Sequence, residues 1–178
     1  MEKVNTTLIE KLKSWDGIHI EYLTKLYHQE KINVDFFEDL ITICIKEQDL
    51  QKAVTWLIKH HYDNGQVLQN TLTERLLTAC ENVRNWEAKL HLLQLLPHFE
   101  LSENSVIIAD DFTRKCMIEN NKFVRAWAYN ELYELTKYIP ELETELELIC
   151  QRAMESESAS IKSKVNKILL KLNNKKHL

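Results

Sequence analysis

The sequence predicts an all-helical protein built as a stack of about five antiparallel helix pairs. The four cysteines recur at a nearly constant period, because they lie 36, 36 and 34 residues apart. Large apolar residues stand four and eight positions before each cysteine, which is the spacing of one face of a helix. Two glycines and two prolines in 178 residues favour helices joined by short polar turns. A fixed period of this length is typical of stacked helical repeats.

The first helix of four of the pairs carries the same apolar stripe, in which two apolar residues and a cysteine are spaced by four. The four stripes are Phe36-Leu40-Cys44, Leu72-Leu76-Cys80, Ile108-Phe112-Cys116 and Leu142-Leu146-Cys150. Equivalent positions on stacked helices lie ~8–10 Å apart, whereas a disulfide requires Cα atoms within about 7 Å. The sequence also contains no CxxC pair of the kind that zinc sites use. We therefore expect four buried, free cysteines, and we expect neither a metal site nor a cofactor.

A second helix is predicted after each stripe, because a polar turn residue recurs at intervals of 36. The turn residues are Asp49, Asn85, Asn121 and Glu157. Core candidates follow at positions 0, 4, 7 and 11 of each second helix. They are Leu50-Val54-Leu57-His61, Trp86-Leu90-Leu93-Pro97, Val124-Ala128-Glu131-Leu135 and Ile161-Val165-Ile168-Leu172. Three of these residues, His61, Pro97 and Glu131, do not suit an apolar core.

The predicted pairs form one domain over residues 1–178. The first pair, near residues 5–30, is irregular, and Asp16-Gly17 marks the turn inside it. Gly65 suits the left-handed C-terminal cap of a helix, while Pro97 and Pro140 are expected to end helices. The other four pairs lie near residues 35–62, 66–97, 104–138 and 141–172.

The segment 121–132 joins a polar turn to Val124-Arg125, then to small residues and a leucine. It resembles the second-helix signature of HEAT repeats. Residues 157–162 form a weaker copy with Ile-Lys in place of Val-Arg, and Trp86-Glu87 and Leu50-Gln51 lack the basic residue. In that family the arginine often pairs with an aspartate of a neighbouring turn. The resemblance implies an α-α superhelix (a HEAT-like solenoid) that serves as a scaffold, and it implies no specific activity.

Second helices of such a stack usually line its concave side, which is the usual binding surface. On a helical wheel of 100° per residue, the side opposite each core stripe is expected to face the concavity, and in the helix that begins at Trp86 this side includes Ala88 and Leu95. The candidate binding surface comprises Lys52, Lys59, His91, Arg125, Tyr129, Tyr133 and Lys137. Tyr129 and Tyr133 are the strongest candidates, because residues four apart are adjacent on a helix and tyrosine is enriched in protein contacts.

Charge is unevenly distributed along the chain. Residues 157–178 carry a net charge of +5 and the remainder −9, within a total of −4. The basic terminal helix either binds an acidic partner or phosphate groups, or serves as a solubility cap. The apolar runs are shorter than the ~20 residues of a membrane span, and the N-terminus lacks a hydrophobic signal core. We expect a cytoplasmic protein without a membrane partner.

No catalytic residues are predicted. His60 and His61 diverge by ~100° on a helix, HExxH is missing, and glycines only at positions 17 and 65 exclude GxGxxG and the P-loop. The sequence therefore favours a non-catalytic protein–protein interaction scaffold or adaptor that uses the concave face. One alternative is a nucleic-acid-binding protein similar in architecture to HEAT-like DNA alkylation-repair glycosylases, although the net negative charge disfavours it. Another, by fold analogy alone, is an enzyme of the HEAT-like lyase type.

Overall fold

A computed structural model of the chain describes residues 5–175. Over that range the regular structure consists of ten α-helices and three short 3-10 turns, without a strand. This confirms the all-helical prediction. None of the helices in this range is both long and apolar enough to cross a membrane. The chain divides into two compact units, Met1–Leu95 (the N-terminal unit) and Leu96–Leu178 (the C-terminal unit). The prediction of one domain over residues 1–178 stays a prediction.

The N-terminal unit contains six α-helices. They are α1 (Thr6–Lys13), α2 (Ile20–Glu30), α3 (Phe36–Lys46), α4 (Gln51–Asp63), α5 (Asn70–Ala79) and α6 (Trp86–Leu95). Side chains and turn residues set the helix ends. The Asn5 side chain caps α1 by accepting a 3.0 Å hydrogen bond from the Leu8 N–H. Gly65, at φ +73°, follows α4 in the left-handed conformation that glycine favours.

Helices of the N-terminal unit pack in two rows. In one row α4 packs against both α2 and α6, and in the other α3 packs against α5. The rows are joined where α3 packs against α4. Lys52 of α4 pairs with Glu87 of α6 at 2.8 Å, and Thr55 lies 2.9 Å from His91. Residue numbers rise together in these two contacts, so α4 and α6 run in the same direction.

The C-terminal unit begins with a 3-10 turn at Leu96–His98, which four α-helices follow. They are α7 (Glu103–Met117), α8 (Lys122–Leu135), α9 (Leu142–Ser156) and α10 (Ala159–Lys175). Helix α8 is the centre of this unit, because it packs against α7, α9, α10 and the 3-10 turn. It starts at Asn121, whose side-chain oxygen accepts hydrogen bonds from the N–H groups of Phe123 (2.9 Å) and Val124 (3.4 Å).

The cysteine stripes form the core of the first helices, as the period predicts. All four cysteines are free and buried. Of the twelve stripe residues, all except Leu72 and Ile108 are buried, and those two are half-buried. Burial raises the pKa of the Cys44 and Cys150 thiols to about 12. These thiols therefore stay protonated at neutral pH and act as small apolar side chains.

Helix α6 departs from the predicted register. Trp86 is 41% exposed and Pro97 is exposed, although both were assigned to the core. Ala88 and Leu95 are buried instead, although the wheel placed them on the solvent side. Pro97 lies outside the core because α6 ends at Leu95 and Pro97 belongs to the 3-10 turn that follows. The regular period therefore does not extend to position 97.

Candidate functional site

The residues of the predicted binding surface are divided between the two units. Lys52, Lys59 and His91 belong to the N-terminal unit. The other four residues, Arg125, Tyr129, Tyr133 and Lys137, belong to the C-terminal unit. In both units most of these side chains bind other groups of their own unit.

Lys52 connects separate segments of the N-terminal unit. Besides its ion pair with Glu87, its Nζ donates a 2.9 Å hydrogen bond to the Gly17 carbonyl. The same ammonium lies 5.4 Å from the centre of the Trp15 indole. Lys59 pairs with Asp63, one turn later in α4, at 2.6 Å. Both cations therefore already have a local countercharge.

His91 is held as a neutral ring. Its Nδ1 lies 2.9 Å from Oγ1 of Thr55, and that hydroxyl donates a 2.8 Å hydrogen bond to the Gln51 carbonyl. Because the hydroxyl proton is used there, the hydrogen-bond pattern assigns a proton to Nδ1 of His91. Burial, with smaller contributions from Lys59 and Lys52, lowers the pKa of His91 to about 4. A neutral ring in this position connects α4 and α6 and carries no charge at neutral pH.

Arg125, the arginine of the HEAT-like segment, joins two successive turns. Its Nε and Nη2 donate to the Glu157 carboxylate at 2.9 and 3.0 Å. Its Nη1 donates to the carbonyls of Glu119 and Asn120 at 2.7 and 3.0 Å. The turn before α8 is thereby connected to the turn before α10. The hydrogen bond with Arg125 lowers the pKa of Glu157.

Tyr129 lies beside this ion pair and not on the surface. The residue is 6% exposed, and its hydroxyl lies 3.5 Å from Glu157. Burial, followed by the Glu157 charge, raises the pKa of Tyr129 to about 12. The wheel placed Tyr129 next to Tyr133 on the solvent side. That placement is wrong because α8 is covered by helices on several sides and not along one stripe.

Gln51 makes the corresponding connection in the N-terminal unit, and the sequence reasoning missed it. The residue is 0% exposed. Its amide nitrogen donates to the carbonyls of Cys44 (3.3 Å) and Asn82 (3.0 Å), and its amide oxygen accepts from the N–H groups of Arg84 (2.9 Å) and Asn85 (3.3 Å). The sequence does contain a signal for this role. Gln51 follows the first core residue of its helix, as Arg125 does in α8.

Two aromatic rings of α8 hold lysines of α10. Nζ of Lys164 lies 3.7 Å from the Trp127 ring centre, and Nζ of Lys171 lies 4.8 Å from that of Tyr133. Lys175 also approaches the Tyr133 ring, at 5.3 Å. We call the surface formed by these groups and the neighbouring Lys167 the lysine–aromatic face; it comprises Trp127, Tyr133, Lys164, Lys167 and Lys171. Of the five, the candidate surface predicted from the sequence contained only Tyr133.

The end of α8 combines an exposed cation with a buried acid. The Lys137 side chain is 61% exposed and pairs with Glu134. Glu131 is 1% exposed, and its Oε2 has no hydrogen-bond partner among the described residues. It borders a cavity of about 20 Å³, also lined by Phe99 and Tyr138, which is the size of one water molecule. Burial, followed by the Glu134 charge, raises the pKa of Glu131 to about 8. The acid is therefore mostly protonated at neutral pH.

Within residues 5–175, no group of three or more histidine, cysteine, aspartate and glutamate side chains is placed to bind a metal ion. Comparison of the chain with known protein families, curated proteins and solved structures gives no match.

Proposed function

We propose that the chain is a HEAT-like α-α superhelix that acts in the cytoplasm as a non-catalytic scaffold for protein–protein interaction. The superhelix part of the proposal is supported by the sequence separation of contacting side chains. Polar contacts between helices join residues about one repeat period apart, as stacking of equivalent repeats requires. Examples are Tyr27–His61, Arg75–Glu38, Thr55–His91, Arg114–Glu145 and Arg125–Glu157, whose separations are 34, 37, 36, 31 and 32 residues.

The turn-to-turn contact of Arg125 with Glu157 gives further support, because the HEAT-like signature leads us to expect an acidic partner for that arginine. Here the acid is a glutamate, and in the N-terminal unit Gln51 replaces the arginine. A cytoplasmic location is supported by the four free thiols, which persist in reducing compartments.

The observation that carries the scaffold function is the lysine–aromatic face. Tryptophan and tyrosine are enriched among the residues that dominate protein interfaces, because they bury a large area at a low entropic cost. Trp127 and Tyr133 are both half-buried and so retain accessible ring surface. Most other members of the predicted surface, including Lys52, Arg125 and Tyr129, bind groups of their own unit.

Affinity capture with a charge-reversed variant tests this function. The full chain and Lys164→Glu/Lys171→Glu are immobilised, exposed to lysate of the source organism, and the retained proteins are identified by mass spectrometry. We expect a defined set of proteins on the native chain that the variant loses. Lys13→Glu/Lys25→Glu, at two exposed lysines of α1 and α2, is the matched control and should retain that set. Retention of nucleic acid without protein would show the scaffold function to be wrong.

Nucleic-acid binding is the second candidate function. The observation that favours it is that three lysines of α10 lie on one side of the helix without a carboxylate partner in the described range. Binding through phosphates weakens steeply as salt rises. A titration of labelled single- and double-stranded oligonucleotides against the chain distinguishes the two functions. Absence of binding at ~50 mM salt eliminates this candidate.

A further inference from the structure

The lysine–aromatic face presents cations that lack countercharges. Lys164, Lys167 and Lys171 follow one another at spacings of three and four on α10, and so share one side of the helix. Over residues 5–175, none of the three ammonium groups forms an ion pair, whereas Lys175 of the same helix binds Glu143 at 2.8 Å. Burial, followed by the neighbouring Lys167 charge, lowers the pKa of Lys164. This direction indicates that no nearby anion compensates the charge.

The aromatic rings hold two of these cations in place. A lysine above an aromatic ring is attracted by the negative face of the ring, and the remaining sides of the ammonium stay available to an anion. The contacts of Lys164 with Trp127 and of Lys171 with Tyr133 therefore restrict two side chains that are otherwise flexible. Restricted side chains lose less entropy when they bind, so an arriving anion is held more tightly.

The spacing of the two held lysines limits the form of the partner. Lys164 and Lys171 are separated by seven residues, or ~10 Å along the helix axis. Carboxylates seven residues apart on a partner helix have the same separation. A helical acidic segment therefore matches the spacing of the two lysines.

Two observations favour an acidic protein over a nucleic acid. Single-stranded nucleic acids bind by stacking bases on open aromatic rings, but here lysine ammonium groups already cover one face of Trp127 and of Tyr133. The carboxylates of Glu134 and Glu143 also lie close enough to Lys175 to raise its pKa. Because Lys175 also approaches the Tyr133 ring, these acids lie near one end of the face. They repel a phosphate backbone, which carries a charge at every nucleotide, whereas a peptide can place an uncharged residue there.

We propose that the lysine–aromatic face binds an acidic segment of a partner protein, whose carboxylates pair with Lys164, Lys167 and Lys171. This inference rests on the proposed scaffold function and specifies the class of its partner.

The test uses synthetic probes and not a lysate. One probe is a 15-residue alanine-based helical peptide with three glutamates on one side, at spacings of three and four. A second has the same composition with the glutamates distributed around the helix, and a third is an oligothymidine with the same number of charges. Binding is measured by calorimetry at low salt, and the NMR signal of the Trp127 indole N–H reports the location. We expect the one-sided peptide to bind at least ten times more tightly than the other two probes.

Variants locate the binding. Lys164→Gln/Lys171→Gln should weaken peptide binding at least tenfold, whereas Lys13→Gln/Lys25→Gln should leave it unchanged. Lys167→Gln removes an exposed side chain that holds no other residue, so it should weaken binding about threefold without a change in the circular dichroism spectrum. Equal binding of both peptides, or equal binding by all variants, overturns the proposal.

The remaining outcomes separate this inference from the scaffold function. Tighter binding of the oligothymidine overturns the acidic-protein class in favour of nucleic acid. If no peptide binds but lysate capture still returns a protein set that depends on Lys164 and Lys171, the scaffold function stands and the acidic class is wrong. If the one-sided peptide binds specifically but lysate capture fails, the anion-binding face stands and the scaffold function is wrong.

Discussion

Gln51 in the N-terminal unit and Arg125 in the C-terminal unit make corresponding connections between segments of their own unit, but with different chemistry. In the N-terminal unit the neutral amide of Gln51 is fully buried, while in the C-terminal unit the Arg125 side chain is 21% exposed. Gln51 binds the Cys44 carbonyl of α3 and polar groups of the turn before α6, while Arg125 binds two carbonyls of its own turn and the Glu157 carboxylate. A buried guanidinium is costly to desolvate, whereas an amide satisfies donors and acceptors without a net charge. Helix packing therefore sets which groups must be joined, and burial selects the residue type that joins them.

The units also differ in the titratable group that each one buries. The N-terminal unit holds His91 as a neutral base, and the C-terminal unit holds Glu131 as a neutral acid. Burial opposes ionisation in both cases, but His91 ionises when the pH falls below neutral and Glu131 when it rises above neutral. We therefore expect acid to weaken the N-terminal unit and alkali to weaken the C-terminal unit.

The largest expected effect concerns Glu131. Its pKa is raised from the ordinary 4.5 to about 8, so the native state retains a proton that the unfolded chain loses. The stabilising contribution of protonated Glu131 is complete below pH about 4.5, decreases as the pH rises, and is lost above pH about 8. Between these limits the free energy of unfolding should fall by on the order of 4 kcal/mol.

Glu131→Gln keeps the shape and the neutral form, and should therefore remove this loss. The measurement is urea unfolding at pH 5, 7 and 9, with hydrogen exchange of α8 to locate the effect. Glu103→Gln, at an exposed glutamate of α7, is the control and should retain the native pH dependence. A native profile in Glu131→Gln would show that another group is responsible.

The second effect is the cost of removing the buried connection of the N-terminal unit. Gln51→Leu leaves two carbonyls and two N–H groups without their partner, and burial prevents water from replacing it fully. We expect a loss of ~3 kcal/mol in the free energy of unfolding by urea titration. Gln151→Leu, at an exposed glutamine of α9, should change it little. A larger loss of unfolding free energy for Arg125→Leu than for Gln51→Leu would show that burial does not decide which connection contributes more to stability.

The third effect is the acid response of the N-terminal unit. The pKa of His91 is lowered from the ordinary 6.5 to about 4. As the pH falls, the unfolded chain therefore takes up this proton before the native state does. The stabilising contribution of the neutral His91 ring is therefore complete above pH about 6.5 and is lost progressively as the pH falls through about 4. Because the ring is only partly covered, we expect a loss of on the order of 2 kcal/mol. His91→Gln should flatten the urea-unfolding profile between pH 7 and 4, whereas His28→Gln, at an exposed histidine, should not.

The smallest effect is the coupling between Arg125 and Glu157. The pair lies near the surface, so screening reduces its contribution to ~1 kcal/mol. A double-mutant cycle of Arg125→Gln and Glu157→Gln measures this coupling free energy, which should decrease in 1 M salt. Because the pKa of Glu157 is lowered from the ordinary 4.5, the contribution should be present above that pH and lost below it. A coupling that does not respond to salt would contradict an ion pair that solvent screens.

Much of the helical organisation could be predicted from local patterns, but the binding surface could not. The cysteine stripes are buried as expected, because apolar residues four apart select one face of a helix whatever packs on it. The wheel failed for Tyr129 because it assumes a single buried side. Helix α8 contacts α7, α9 and α10, so residues opposite its main stripe are also covered. The repeat pattern assigns Glu131 to a core position although an acid does not suit an apolar core, and the structure buries it there.

The helical class and the buried cysteine stripes could be predicted from the sequence, because they depend on residues within one or two turns of each other, and the period is the spacing at which those stripes recur. Tertiary packing decides which polar side chains remain available. Lys52, Gln51 and Arg125 bind groups about 30–36 residues away, whereas Lys164 and Lys171 meet aromatic rings and no carboxylate in the described range. That division depends on how the helices of each unit pack, because the same polar side chain is engaged or free according to what the neighbouring helix places beside it.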